Sequence, residues 1–247
     1  MTNSYKTKAI VIKGSNFGEA DRILTIFTER FGKIKALAKG VRKIRSHMAG
    51  SLEPFQLVDL QLHEGKTFQI VTGAVTGECF PNIHSDLPKT SAAFYVSELI
   101  DKFVEEKQKL PEIFNLYLEI LWTIEDSDRP LLIRAFELKL IEAAGFNPEL
   151  YECVHCKEKI SPGENFWDAV EGGLICNNCQ NVHHHGALRI SDETIKFLRF
   201  VGKSDLATVG RLKLSQETED EAGEILEKYL GNLLEREIKS RKFMDNL

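Results

Sequence analysis

Arg22-Ile23-Leu24-Thr25-Ile26-Phe27-Thr28 and Lys33-Ile34-Lys35-Ala36-Leu37-Ala38-Lys39 are two short β-branched or alternating runs, separated by a turn containing Gly32. Alternation of period two predicts strands. Upstream, residues 5–13 (YKTKAIVIK) form a similar run, and Gly14, Gly18 and Gly40 punctuate the series. The stretch Gly14-Ser15-Asn16-Phe17-Gly18 reads as a glycine-containing turn. Downstream, residues 55–63 (FQLVDLQLH) and 67–75 (TFQIVTGAV) are joined by Glu64-Gly65-Lys66. Five short strands with glycine turns point to a small antiparallel barrel, because closure hides the edges that a lone sheet exposes. The OB-fold is the best-known five-stranded form.

After Pro81 the apolar period changes from two to about 3.6. Residues 89–107 place Ala93, Val96, Ile100, Phe103 and Val104 on one stripe, and residues 112–125 place Ile113, Leu116, Tyr117, Ile120, Leu121 and Ile124 on another. Residues 129–144 predict a third helix, with Pro130 at its first position, Gly145 as its stop and Pro148 just beyond. Residues 192–201 and 216–240 read as helices too. The expected fold is therefore α+β. An N-terminal five-stranded OB-fold β-barrel (residues 1–80) precedes a mainly α-helical C-terminal domain (81–247), and a four-cysteine zinc module is embedded at about 150–185.

That module rests on Cys153/Cys156 and Cys176/Cys179, two CxxC pairs with 19 residues between Cys156 and Cys176. Two tight knuckles joined by such a loop match a closed tetrahedral zinc centre. Four thiolates leave no position for water, so the expected Zn2+ is structural rather than hydrolytic. The insert has Phe166, Trp167 and Ile175 to pack but few other apolar residues, and metal binding is expected to replace the missing core. His183-His184-His185 reads as a solvated loop. Cys79, beside Phe80 and Pro81, reads as buried filler.

The net charge of −5 conceals an asymmetry: residues 1–50 hold 11 Lys/Arg against three Asp/Glu. Lys33, Lys35 and Lys39 share one strand face with Leu37, and Arg42, Lys43 and Arg45 follow in a loop. Six cations within 13 residues are spaced for successive phosphates, and counterion release would make such binding salt-dependent. Phe17, Phe27 and Phe31 are either stacking platforms or core. No GxxxxGK[ST], GxSxG or HExxH is present, so an enzyme is not expected. No apolar run approaches the roughly 18 residues of a membrane span, and the start lacks the apolar core of a secretion signal, so a cytoplasmic protein is expected.

Tyr5-x-Thr7-x-Ala9-Ile10-Val11-Ile12, Gly18-Glu19-Ala20-Asp21-Arg22-Ile23-Leu24-Thr25-Ile26-Phe27-Thr28, Gly32-Lys33-Ile34-Lys35-Ala36-Leu37-Ala38-Lys39-Gly40-Val41-Arg42-Lys43 and Leu52-Glu53-Pro54-Phe55, in that order, resemble the RecO family of bacterial DNA repair proteins. The helical half with its CxxC pairs looks like the zinc-containing members. The resemblance implies a non-enzymatic recombination mediator, nucleoid-associated. Such a protein binds single- and double-stranded DNA, anneals complementary strands and, with RecR, helps RecA replace single-strand-binding protein. It also implies phosphate contacts at Lys33, Lys35, Lys39, Arg42, Lys43 and Arg45. Arg22 is either a further contact or half of an internal ion pair. An RNA-binding OB-fold protein with a zinc ribbon, of translation or transcription, is the alternative reading of the same barrel and cysteines.

Overall fold

The computed structural model describes residues 4–183, 186–234 and 238–244, and the chain divides into two compact units. Unit 1 comprises residues 1–128 and 239–247; unit 2 comprises residues 129–238. Two of the three histidines at 183–185 lie outside the described residues.

Unit 1 begins with the expected five strands: β1 (Ser4–Phe17), β2 (Asp21–Thr28), β3 (Gly32–Ala38), β4 (Leu57–His63) and β5 (Gln69–Glu78). They form a closed barrel in the order β1-β2-β3-β5-β4, an OB-like arrangement. All neighbours are antiparallel except β3 and β5, which pair in parallel through Ala36–Gln69 and Leu37–Ile70. The interior is filled by small and branched side chains, among them Val11, Leu24, Ile26, Ala36, Leu60 and Leu62. Along β4 the alternation is direct: Leu60 and Leu62 are buried while Asp59 and Gln61 are exposed.

β1 runs four residues beyond the expected end. Ser15, Asn16 and Phe17 pair with Ile23, Arg22 and Asp21, so the turn shifts to Gly18, which has φ 58°. β1 and β2 are also buried on their outer face at Ile10, Ile12 and Phe27. Helices cover that side: α1 (Pro81–Ser85), α2 (Leu87–Phe103) and α3 (Pro111–Asp126). Asp86 caps α2 by accepting from the N–H of Lys89 (3.0 Å). Phe27 meets Phe114 of α3 edge-on at 5.6 Å, so it is core rather than a stacking platform. Cys79 is exposed, not buried, because the neighbouring Phe80 takes the inward place and packs on Trp122.

Unit 2 holds α4 (Pro130–Ala143), α5 (Asn177–His183), α6 (Asp192–Lys203), α7 (Leu206–Val209) and α8 (Gln216–Leu234). α4 ends as expected: the N–H of Phe146 reaches Ile141 O and that of Gly145 reaches Glu142 O, closing the last turn. Between α4 and α6 lies a three-stranded sheet of β6 (Asn165–Asp168), β7 (Gly173–Cys176) and β8 (Leu188–Ile190), ordered β7-β6-β8. The insert therefore has more packing than its composition promises. Trp167 is buried against Tyr229 of α8, ring centroids 5.4 Å apart. The final helix, α9 (Lys239–Met244), belongs to unit 1.

Candidate nucleic-acid interface and metal centre

The cysteines converge. The Sγ atoms of Cys153, Cys156, Cys176 and Cys179 all lie within 4.8 Å of one another, with Cys156 and Cys176 at 3.7 Å. A tetrahedral ion with Zn–S bonds of about 2.3 Å requires S···S separations of about 3.8 Å. The donor set thus fits such an ion closely.

Backbone pairing builds the convergence. Val154 N–H donates to Leu174 O, and Leu174 N–H to Glu149 O, so β7 lies along the chain that enters the first knuckle. A Cβ at Gly173 would stand 2.4 Å from Val154 Cγ1, which is why this closest approach takes glycine. In the first knuckle Lys157 adopts φ 61° and its N–H donates to Cys153 O (3.0 Å). The second knuckle spans the end of β7 and the first turn of α5.

The thiols feel one another. Burial alone would raise the Cys153 thiol, but N–H groups of Cys176, Cys156 and His155 hold it down to about 6. Burial and the three neighbouring thiols push Cys179 up to about 12. Four sulfurs in contact cannot all ionise without a cation between them, and a thiolate-bound divalent ion supplies that charge.

The cationic segment is divided by the fold. Lys35 and Lys39 point outward from β3 and its end, with Leu37 half-buried between them. Lys33, on the same strand face, is withdrawn from solvent: its ammonium donates to the backbone O of Asp101 and to Asp101 Oδ1 at 3.0 Å. Lys13 reaches the other Asp101 oxygen at 2.5 Å. Burial alone would raise the Asp101 carboxyl, but hydrogen bonds from Lys13 and Lys33 hold it below the usual aspartate range. Asp101 thus pins two barrel lysines to α2, and the strand alternation that exposes Lys35 does not expose Lys33.

Next to it, the connection between α2 and α3 is clipped to the start of β3. Lys107 N–H donates to Lys33 O (2.8 Å), and a Cβ at Gly32 would stand 2.2 Å from Gln108 O. This brings Glu106 to Lys35, with a 2.9 Å ion pair between exposed partners. The hydrogen bond holds the Lys35 ammonium above its usual range and the Glu106 carboxyl below its own.

Arg42, Lys43 and Arg45 are exposed in the loop after β3, and Ile44 between them is fully exposed at 105%. Among the described residues, no acidic partner holds Lys39, Arg42, Lys43 or Arg45. The β1–β2 turn shapes the loop: Asp21 Oδ1 accepts from Gly40 N–H (2.7 Å), and Ala20 O from Arg42 N–H (2.9 Å). Arg42 Nη1 donates to the carbonyls of Gly18 (3.4 Å) and Glu19 (3.2 Å). Arg22 forms an internal ion pair, with Glu53 at 2.8 Å rather than with its sequence neighbours Glu19 and Asp21. Phe31 is half-buried against Tyr5, 4.4 Å between centroids, and Phe17 is exposed at the end of β1.

Sequence reading missed Asp101 and Glu106, which arrive from 68 and 71 positions beyond Lys33 and Lys35 with no local signal. It missed Ile44 as well, although an apolar residue between Lys43 and Arg45 in a loop is itself a signal. Among the described residues, no helix is long and apolar enough to cross a membrane.

Comparison with known proteins identifies the family. The family profile described as Recombination protein O N terminal matches residues 1–80, and Recombination protein O C terminal matches residues 84–242. A DNA repair protein RecO of Dehalococcoides mccartyi is 35% identical over 246 residues, covering 99% of this chain and 96% of the relative. One of Roseiflexus sp. is 36% identical over 244 residues, 98% of this chain and 86% of the relative. A third, of Syntrophomonas wolfei, is 34% identical across 98% of this chain and 96% of the relative. With both halves matched and the similarity running nearly end to end, the chain belongs to the RecO family of DNA repair and recombination proteins.

Proposed function

We propose that this protein is a non-catalytic recombination mediator that binds single- and double-stranded DNA through β3 and the loop after it. The observation that carries the reading is the set of exposed cations Lys39, Arg42, Lys43 and Arg45, held in shape by Asp21 and the β1–β2 turn. Lys35 joins them when a phosphate displaces Glu106, and Lys33 supports the strand from beneath. Ile44 lies where a sugar or base edge would pack.

A cationic surface that holds two strands lowers their repulsion and concentrates complementary bases, so annealing needs positioning and no bond-breaking step. In the cell, the protein acts in the nucleoid with RecR to help RecA displace single-strand-binding protein. Cys153, Cys156, Cys176 and Cys179 hold Zn2+, which stabilises the sheet of unit 2.

A salt titration with a fluorescent oligonucleotide tests the DNA reading. Each phosphate contact contributes about −0.7 to the log–log slope for single strands, so Lys35, Lys39, Arg42, Lys43 and Arg45 together predict a slope of about −3.5. Charge reversal at Lys35, Lys39 and Arg42 flattens the slope and abolishes annealing. Wild-type salt dependence in that variant overturns the interface, and tighter binding of matched RNA overturns the DNA assignment. No stimulation of RecA loading on protein-coated gapped DNA in the presence of RecR overturns the mediator role.

A further inference from the structure

The outward side of α6 in unit 2 carries cations and rings that the barrel interface does not include. Lys196, Arg199, Phe200 and Lys203 stand at i, i+3, i+4 and i+7 and therefore share one helical face. Tyr151 lies against that face. The Arg199 guanidinium carbon is 4.8 Å from the centre of its ring and Lys203 Nζ is 5.0 Å from it. Arg199 Nε also donates to Leu150 O at 2.8 Å, which fixes the guanidinium.

A purely structural tie between the first cysteine knuckle and α6 needs only Arg199. It accounts neither for Lys203 over the same ring nor for the openness of the rings: Tyr151 is 46% exposed and Phe200 37%. Buried contacts of α6 are made from its other side, by Ile195, Leu198 and Val201. Acidic groups border this face without holding its cations tightly: Asp192, one turn before Lys196, accepts from Gly163 N–H at 3.2 and 3.1 Å, Glu142 lies against α6 at Gly202, and Glu193 is a loose 3.9 Å from Lys196 with both groups exposed. Open rings bordered by ammonium and guanidinium groups match unpaired bases, which stack, joined by phosphates, which neutralise. A peptide of acidic residues alone would engage the cations and leave the ring faces open, whereas a single strand uses both.

We propose that Tyr151 and Phe200, flanked by Lys196, Arg199 and Lys203, form a second contact for single-stranded nucleic acid, located on unit 2. The proposal shares its ligand class with the barrel interface and rests otherwise on the ring and cation geometry of α6 alone. Unit 2 then holds a strand on its own account rather than serving only as a zinc-stabilised scaffold.

Photocrosslinking of the full-length zinc-loaded protein to an oligothymidylate carrying 5-iododeoxyuridine, followed by peptide mapping, tests this. Adducts are expected at Tyr151 or Phe200, and they persist when the barrel loop is reversed in charge (Lys39→Glu, Lys43→Glu, Arg45→Glu). In that loop variant, adding Tyr151→Ala or Lys196→Glu with Lys203→Glu weakens residual binding about tenfold, the scale of one lost stacked base. Tyr151→Phe retains binding and the adduct, and an unchanged melt and zinc content show that each variant is folded. Adducts confined to unit 1, with all binding lost in the loop variant, overturn this proposal and leave the barrel interface standing. Adducts confined to unit 2 and indifferent to loop charge do the reverse. Protection of Tyr151 by an Asp- and Glu-rich peptide, without any oligonucleotide adduct there, also overturns it.

Discussion

Glu106 Oε1 lies 2.9 Å from Lys35 Nζ, so a carboxylate from the α2–α3 connection stands where a phosphate oxygen would bind. On the proposed interface DNA would have to displace it, and an exposed pair of this kind is weak. Glu106→Gln is therefore expected to tighten single-strand binding at low salt by about twofold to fivefold. Fluorescence anisotropy at two salt concentrations checks this, since the gain shrinks as salt screens the pair.

Asp101 is the opposite case, a part-buried carboxylate gripped by Lys33 and Lys13. Its folded-state value lies below the ordinary 3.8, so its stabilising share is complete above that value and is lost as pH falls through the depressed one. Asp101→Asn is expected to lower stability by about 1–3 kcal/mol at neutral pH, because Lys33 keeps its buried position without its charge partner. The variant also loses part of its acid sensitivity below pH 3.8. Urea melts of the two proteins, run from pH 7 downward, converge in acid if this is right.

Asp21 holds the basic loop in shape without adding a cation to it, by accepting from Gly40 N–H at 2.7 Å. Asp21→Ala removes one negative charge beside the proposed interface, which by electrostatics alone would strengthen DNA binding. Loss of the loop's shape is expected to outweigh that gain and slow annealing by about threefold, since misplaced contacts forfeit positioning. Annealing rates measured beside equilibrium affinity separate the two effects.

With the four cysteines holding zinc as proposed, removal of one sulfur should unravel unit 2 in particular. Cys176→Ser leaves an incomplete shell at the point where β7 joins α5, and structural zinc contributes folding free energy directly. The variant is expected to lose its zinc and the upper part of its melting transition. A chelator added to the wild-type protein reproduces the change, with near-ultraviolet circular dichroism of Trp167 as the readout.

Trp167→Ala is expected to cost about 3–5 kcal/mol, the range for emptying a large aromatic site in a core. It leaves all four thiols in place. Retained zinc with a lowered melting temperature distinguishes it from the cysteine variant.

The barrel strands are legible because a half-buried strand writes its two faces in alternation, as in Asp59, Leu60, Gln61 and Leu62. The knuckles are legible because ligand spacing is local. What sequence cannot display is the partner that arrives from far along the chain. Lys33 and Lys35 look alike on one strand face, yet Asp101 removes the first from solvent and leaves the second open. Phe27 resembles a platform until Phe114 covers it. The insert looks core-poor because the ring that completes its packing, Tyr229, belongs to α8. Arg22 and Glu53, by contrast, both stand in stretches that carry the family resemblance, and their pairing joins two motifs 31 positions apart.

The helix α9 is tied to α2 at two points: Glu98 accepts from the N–H groups of Lys239 and Ser240 and from the Ser240 hydroxyl, at 3.1, 2.8 and 2.6 Å, and the Arg241 guanidinium lies over the Tyr95 ring at 5.6 Å. The chain therefore leaves unit 1 after residue 128, builds the whole of unit 2, and comes back, so that unit 2 is an insertion within unit 1. During synthesis the barrel can close early, but the helical cover of unit 1 waits for residue 240 to leave the ribosome. The helical cover of unit 1 is thus completed only after the four-cysteine insertion has been made, and a polypeptide stopped at residue 128 would carry Glu98 without the α9 N–H groups that it accepts from.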